Sequence, residues 1–176
     1  MNNRSDTVNN VQTSGGLSLG STQEDQALAG LAELQARYAI GRLMSLYGQL
    51  LDDLRLEEWG ELFSEEAIWR IPSVTFEGRS AIVEGVGAME PPVPGRVKHL
   101  SFPPVIDFES ATRARVWTDQ VALHCPDETW MVVSAGRYHD LVEFDGTRWR
   151  FVSREADVRW PPGSDPLTAI VPTPAS

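Results

Sequence analysis

The sequence predicts an α+β domain, with helices first and then a curved antiparallel sheet that keeps those helices on one side. Three observations carry this expectation. Leu43, Tyr47, Leu50 and Leu54 recur in steps of four, three and four, the spacing of a buried helical stripe. From Val97 onward the chain turns into four long runs of strand character, at 97–108, 112–125, 130–144 and 148–160. The Asp145-Gly146 pair joining the last two is a strong hairpin signal, because these residues accept the positive φ of a tight turn.

At 176 residues, with 41% hydrophobic and 23% charged side chains, the chain is long enough for one globular domain with a single core. A net charge of −10 argues against nucleic acid, since no basic face can release counterions from phosphates. The densest basic cluster, Arg148, Arg150 and Arg154, is surrounded by acidic neighbours. The single cysteine, Cys125, excludes an internal disulfide and fits a reducing compartment, where it reads as a small core side chain. No apolar run approaches the roughly 20 residues of a membrane span. The N-terminus lacks the charged-then-apolar layout of a secretory leader. Cytoplasm is the expected location, with no membrane partner.

Residues 1–23 are rich in Asn, Ser, Thr and Gly, bury too little to offset ordering, and are expected to be disordered. Ser21 or Thr22, followed by Glu24 and Asp25, marks a helix start with carboxylates at the positive end of the dipole. That helix runs to about Asp53, and a second short one covers 57–63. Ser64, Glu65 and Glu66 read as a turn before a strand at 67–71, which Pro72 stops. A short strand at 74–76 reaches Gly78, and 79–89 is weakly helical with two glycines against it. Pro91, Pro92 and Pro94 then forbid regular structure, leaving a loop placed to cover something. After the four strands, Pro161, Pro162 and Gly163 end a domain set at 24–160, and 161–176 reads as a tail.

The helix end at Asp52 and Asp53 has two readings. It is either a solvated terminus, or a carboxylate and the Tyr47 phenol face a pocket to which another element brings a histidine. Regular helical spacing puts Asp53 nearer the apolar stripe and Asp52 opposite it. In the run 112–125 the odd positions Trp117, Asp119, Val121 and Leu123 form an apolar face with a carboxylate inside it. Either Asp119 belongs to a buried network, since an unpaired buried carboxylate is costly, or a twist turns it to water. His99 shares its parity with Val97 and Val105, as a satisfied core histidine or a catalyst would. Trp149 and Phe151 share theirs with Arg159. His124 and His139 show no partner, and no metal-ligand spacing, phosphate-cradling glycine loop or GxSxG elbow is present.

Taken in order and spacing, YGQLLDD, EEWGELFSEEAIW, FEGRSAIVEGV, VKHLSF, AGRYHDLVEFDGTRWRF and SREADVRW resemble the SnoaL-like branch of the NTF2-like superfamily over about 28–160. That branch includes scytalone dehydratase, bile-acid 7α-dehydratase, a dehydrochlorinase and polyketide cyclases. The resemblance implies a cone-shaped fold whose curved, mostly antiparallel sheet wraps on N-terminal helices around a cavity. It also implies an Asp-His dyad, matching Asp52 at the end of the first helix and His99 at the start of the strand after the loop. The tyrosine of the dehydratases matches Tyr47. An arginine near the end of the last strand matches Arg159, and an aspartate on the middle strand matches Asp119.

The resulting expectation is a cofactor-independent lyase of dehydratase type, without a metal, acting on a hydrophobic cyclic small molecule such as a polyketide, steroid or terpenoid. His99 would take a proton from carbon beside an activating carbonyl, and Asp52 would hold its tautomer and stabilise the imidazolium. Tyr47 would hydrogen-bond the carbonyl or the departing hydroxyl, with Arg159 or Asp119 assisting charge development opposite. Trp69, Phe102, Trp117 and Trp130 are candidate walls, and a count of six tryptophans suits flat rings. An isomerase or cyclase on the same dyad is one alternative. A non-catalytic ligand-binding or assembly subunit, its cavity filled by side chains, is another. The outer face of the sheet needs covering, so a homodimer or homotrimer is expected through 112–144.

Overall fold

The computed structural model describes residues 22–159. The expected tails lie outside them, apart from Thr22 and Gln23, which already cap and open the first helix. Helix α1 (Gln23–Asp52) starts with a capping box: the Thr22 hydroxyl accepts from the Asp25 N–H at 3.1 Å, and the Asp25 carboxylate accepts from the Thr22 N–H at 2.9 Å. Its second half buries Ile40, Leu43, Met44, Tyr47, Gly48, Leu50, Leu51 and Asp52. That face is broader than the predicted stripe, because α1 meets both the ring-rich core and a strand. The remaining elements are α2 (Leu56–Gly60), β1 (Phe63–Ile71), β2 (Val74–Glu77), α3 (Arg79–Gly87), β3 (Val97–Ser101), β4 (Val105–Ser110), β5 (Arg113–His124), β6 (Met131–Phe144) and β7 (Trp149–Arg159). Among the described residues no helix is long and apolar enough to cross a membrane.

The strands form one curved, unclosed sheet in the order β2-β1-β7-β6-β5-β3, with β4 pairing the first half of β5. All neighbours are antiparallel except β1 and β7, which run parallel. Sequential neighbours form the antiparallel pairs except β3 with β5, and α3 with its following loop carries the chain from β2 at one edge of the sheet to β3 at the other. The sheet and α1 close over a ring cluster in which Tyr47 lies 5.3 Å from Trp59, 5.6 Å from Tyr138 and 5.9 Å from Phe151 between centroids. This cluster forms the floor on which the candidate site rests.

Four local expectations need correction. Residues 64–66 are strand, because β1 already pairs with β7 at Phe63 opposite Phe151, with an irregularity before Ile68. The run 97–108 is two strands, interrupted at Phe102-Pro103-Pro104, where proline has no N–H to give a ladder. On β5 the inward residues are Ala114, Val116, Thr118, Gln120 and Ala122, so the odd-numbered apolar residues coat the outer face. The inward side is small and polar because its lower half lines a cavity rather than filling one. On β7, Trp149 and Phe151 face inward, but so do Arg154, Ala156 and Val158. Val152 is an extra residue between the pairs Val142–Phe151 and Leu141–Ser153, and this bulge reverses the parity toward Arg159.

Strand β3 crosses α1 at Gly48, where a Cβ would stand 2.7 Å from the carbonyl oxygen of His99 and 3.2 Å from its Cβ. Glycine in a helix interior ordinarily costs about 0.5–1 kcal/mol relative to alanine. Gly41, in the same helix, has nothing within 4 Å of a built Cβ. Gly41→Ala should therefore gain about 0.5–1 kcal/mol, while Gly48→Ala should lose about 1–3 kcal/mol through overpacking. Urea denaturation of both variants checks the opposite signs, and two gains of equal size would show that β3 does not need this glycine.

Candidate active site

A cavity of about 410 Å³ opens between the C-terminal end of α1, the α3 end with its following loop, and the inner face of the sheet. Leu51, Ile71, Val86, Met89, Val97 and Val158 give it apolar walls. Seven polar side chains break them: Tyr47, Glu90, His99, Gln120, His124, Ser134 and Tyr138. An apolar pocket with a few convergent polar groups is the usual form of a small-molecule site.

Two of the predicted residues meet directly. Asp52, the last residue of α1, is 5% exposed, and its Oδ1 lies 2.7 Å from His99 Nδ1. The His99 main-chain N–H also points at both carboxylate oxygens, at 3.1 Å each. Lys98 Nζ stands 3.6 Å from Oδ2. A carboxylate with these neighbours acts as acceptor, so the His99 Nδ1 is the donor in this bond, and the same imidazole lines the cavity. Asp53, the carboxylate that regular spacing favoured, caps the helix and is exposed. Asp52 is buried because β3 lies beside Gly48, one turn earlier, and adds a second packed side to α1.

Tyr47 and Trp69 belong to the same cavity. The Trp69 indole N–H donates to the Tyr47 hydroxyl at 3.0 Å, which leaves the phenol proton free to donate to a ligand. Burial pushes the Tyr47 phenol above its usual pKa, while the Arg154 charge pulls it back. That guanidinium lies 3.9 Å from the centre of the Tyr47 ring, 4.0 Å from Tyr138 and 4.2 Å from Phe151. It is only 1% exposed and forms two 2.7 Å bonds to the Asp140 carboxylate. Burial alone would lower its pKa, but the Asp140 charge overcomes this and holds it above the ordinary value.

The other predicted site residues stand elsewhere. Asp119 is on the outer face of β5, about half exposed, in a 2.6 Å ion pair with Arg137. Arg159 follows the β7 bulge outward; its side chain is 82% exposed and its ionic neighbour is Asp157 at 3.5 Å. Trp117 shares the Asp119 face, beside Arg70 and His139. Phe102 lies exposed in the break between β3 and β4, and Trp130 exposed before β6. None of these five lines the cavity.

Sequence reasoning missed Glu90, Gln120, His124, Ser134 and the Arg154 support. His124 was legible once β5 parity was known, because it sits two residues beyond Ala122 on the inward side. Gln120 is 3% exposed, and its Oε1 has no partner while its Nε2 reaches Ser134 Oγ at 3.5 Å. A buried acceptor left open at a cavity wall is suited to a ligand hydroxyl. Glu90 had no periodic signal, being in the proline-rich loop. Burial pushes its carboxyl above the ordinary value; His99 opposes this and the Asp52 charge adds to it. Among the described residues no group of three or more His, Cys, Asp and Glu side chains is placed to hold a metal ion.

Comparison with known proteins bears on this geometry. A family model described as a SnoaL-like domain matches residues 32–155. Sequence comparison with curated proteins gives no match. Among solved structures, a putative scytalone dehydratase from Novosphingobium aromaticivorans is 28% identical, with a TM-score of 0.63, over 74% of this chain and 88% of that one. An NTF2-like protein with a cystatin-like fold from the same organism is 22% identical, with a TM-score of 0.67, over 90% and 100%. A hexachlorocyclohexane dehydrochlorinase from Novosphingobium barchaimii is 18% identical, with a TM-score of 0.61, over 74% and 91%. The last two similarities speak to the fold alone.

The raised pKa of Glu90 carries a sign that stability measurements can read. The folded state holds this proton more tightly than the unfolded chain, so stability falls as pH rises from the ordinary glutamate value of 4.5 through the raised one. Glu90→Gln removes the ionisation and should raise the melting temperature at pH 7. The gain should shrink as pH falls toward 4.5 and vanish below it, where both states are largely protonated. Thermal melts of the two proteins across that range test this, and a loss at pH 7 would contradict it.

Proposed function

The chain belongs to the SnoaL-like domain family, and on that footing we propose that it is a cofactor-independent lyase of dehydratase type, acting in the cytoplasm on a hydrophobic ring compound. One observation carries the reading: the 2.7 Å Asp52–His99 bond at the wall of an apolar cavity that the same imidazole lines. His99 Nε2 takes a proton from carbon next to a carbonyl, and the Asp52 carboxylate stabilises the imidazolium that forms. The Tyr47 hydroxyl, its acceptor side occupied by Trp69, donates to the carbonyl as it gains enolate charge. The name of one similar structure, a putative scytalone dehydratase at 28% identity, agrees with a lyase of dehydratase type. An isomerase or cyclase would use the same base, so product analysis distinguishes them. A non-catalytic subunit called for a cavity filled by side chains, and an open volume of about 410 Å³ weighs against it.

The reading is tested with fused-ring β-hydroxyketones; 3-hydroxy-1-tetralone, whose dehydration gives fluorescent 1-naphthol, is a suitable first probe. His99→Ala and Asp52→Asn should each reduce turnover by about 10²-fold or more with little change in melting temperature. Asp53→Asn should leave turnover near wild type. Full activity in either dyad variant would sink the mechanism, and a greater loss in Asp53→Asn would show that the wrong carboxylate was chosen.

The same reading includes self-association through the outer sheet face, where Trp117, Leu141 and Ile68 lie side by side. Light scattering at micromolar concentration should give a dimer or trimer mass. A mass of 19.5 kDa would refute the assembly without touching the chemistry.

A further inference from the structure

Building on the lyase reading, we propose that Glu90 is a second catalytic group, the acid that gives a proton to the departing hydroxyl while His99 removes one from carbon. Elimination of water needs both transfers. Hydroxide is a poor leaving group, and a base that has just accepted a proton on one side of the substrate is not thereby placed to deliver it on the other.

The position of Glu90 is built rather than incidental. Two turn bonds follow α3, Met89 N–H to Val86 O at 3.0 Å and Glu90 N–H to Gly87 O at 3.3 Å. The far end of the same loop is tied to the dyad's helix by the Gly95 N–H, which donates to the Asp52 main-chain oxygen at 3.0 Å. These bonds fix the main chain that carries Glu90 between the end of α3 and the dyad's helix. It is half-buried on the wall of the same cavity, and among the described residues it makes no side-chain hydrogen bond and no ion pair.

An unpartnered carboxyl facing an apolar cavity is a structural liability, and a ligand hydroxyl relieves it. The charged and titratable groups that act on it are His99, Asp52, Tyr47 and Tyr138, and His124 shares the cavity wall from the end of β5. Of these, Asp52 is engaged with His99, and the two phenols are pushed upward by burial, Tyr138 well upward, so neither is a ready acid. Glu90 is shifted upward as well, but from the much lower range of a carboxyl, so it stays protonated over a wider range than an exposed glutamate while remaining the stronger acid.

The step balances without a co-reactant. The C–H pair becomes the new C=C bond as His99 Nε2 takes the proton. The C–O bond breaks, and its electron pair leaves with oxygen. The Glu90 proton joins that oxygen, so water departs. Afterwards the imidazolium has one proton too many and the carboxylate one too few, and transfer between them through the opened cavity restores both.

Leaving-group dependence separates this role from a structural one. Turnover of 3-hydroxy-1-tetralone and of 3-chloro-1-tetralone, the latter corrected for its spontaneous loss of chloride, is measured for wild type, Glu90→Gln and His99→Ala. Chloride leaves without a proton. Glu90→Gln should therefore lose about 10²-fold on the hydroxyl compound and less than about threefold on the chloride. His99→Ala should lose both. Equal losses on both compounds in Glu90→Gln would make Glu90 a positioning residue, and no loss on either would remove it from the mechanism. Wild type inert toward both compounds, or His99→Ala fully active, overturns the lyase reading and this proposal with it. A melting temperature for Glu90→Gln no lower than that of wild type keeps a folding defect from being mistaken for any of these results.

Discussion

Everything in the site hangs on where α1 stops. Asp52 is the last helical residue, and its carboxylate holds both the main chain and the imidazole of His99, while its own carbonyl accepts from Gly95. One residue thus pins a helix end, a strand and the loop between α3 and that strand. The arrangement requires close approach, and Gly48, one turn earlier, allows it because any Cβ there would meet the His99 carbonyl. A carboxylate at a helix C-terminus is disfavoured by the dipole. The partners gathered around Asp52 offset that cost, which explains why an acidic residue is tolerated in a buried position at that end.

A second constraint shapes the sheet. A cavity wall needs side chains that stop short, so the inward face of β5 near the site carries Thr118, Gln120 and Ala122, while bulkier Trp117, Val121 and Leu123 go outward. The usual equation of large apolar residues with the inside is inverted along this strand. β7 changes its facing pattern at Val152 for a related reason. Above the bulge Trp149 and Phe151 fill the core, and below it Ala156 and Val158 line the opening.

These constraints decide how much could be read beforehand. α1, the long strands and the Asp145-Gly146 hairpin were legible because they rest on local periodicity and turn chemistry. The pairing of Asp52 with His99 came from family resemblance, since 47 residues separate the two and helical spacing alone favoured Asp53. Asp119 and Arg159 entered the candidate site by family resemblance, and both stand outside the cavity, one because the inward wall of β5 is made of small and polar residues of the other parity and one because a bulge in β7 intervenes. Phe102 and Trp130 were assigned to the walls on size, although each lies at a strand boundary where no regular face exists. Glu90 left no periodic trace because proline-rich loops carry none; its main chain is set by turn bonds at the end of α3 and by the loop's tie to Asp52.

The buried Arg154 has a consequence for how the cavity meets its medium. A full positive charge lies one ring thickness below the Tyr47 and Tyr138 side of the cavity, yet it is 1% exposed. Mobile ions screen charges they can surround, with a reach of about 8 Å at physiological ionic strength, and screen buried ones far less. Anions from solution cannot settle on this guanidinium to neutralise it. The attraction it offers to negative charge forming on a bound ring, moderated by Asp140, is therefore a fixed property of the folded chain. It weakens far less between dilute buffer and concentrated salt than the attraction of the exposed arginines on the outer face.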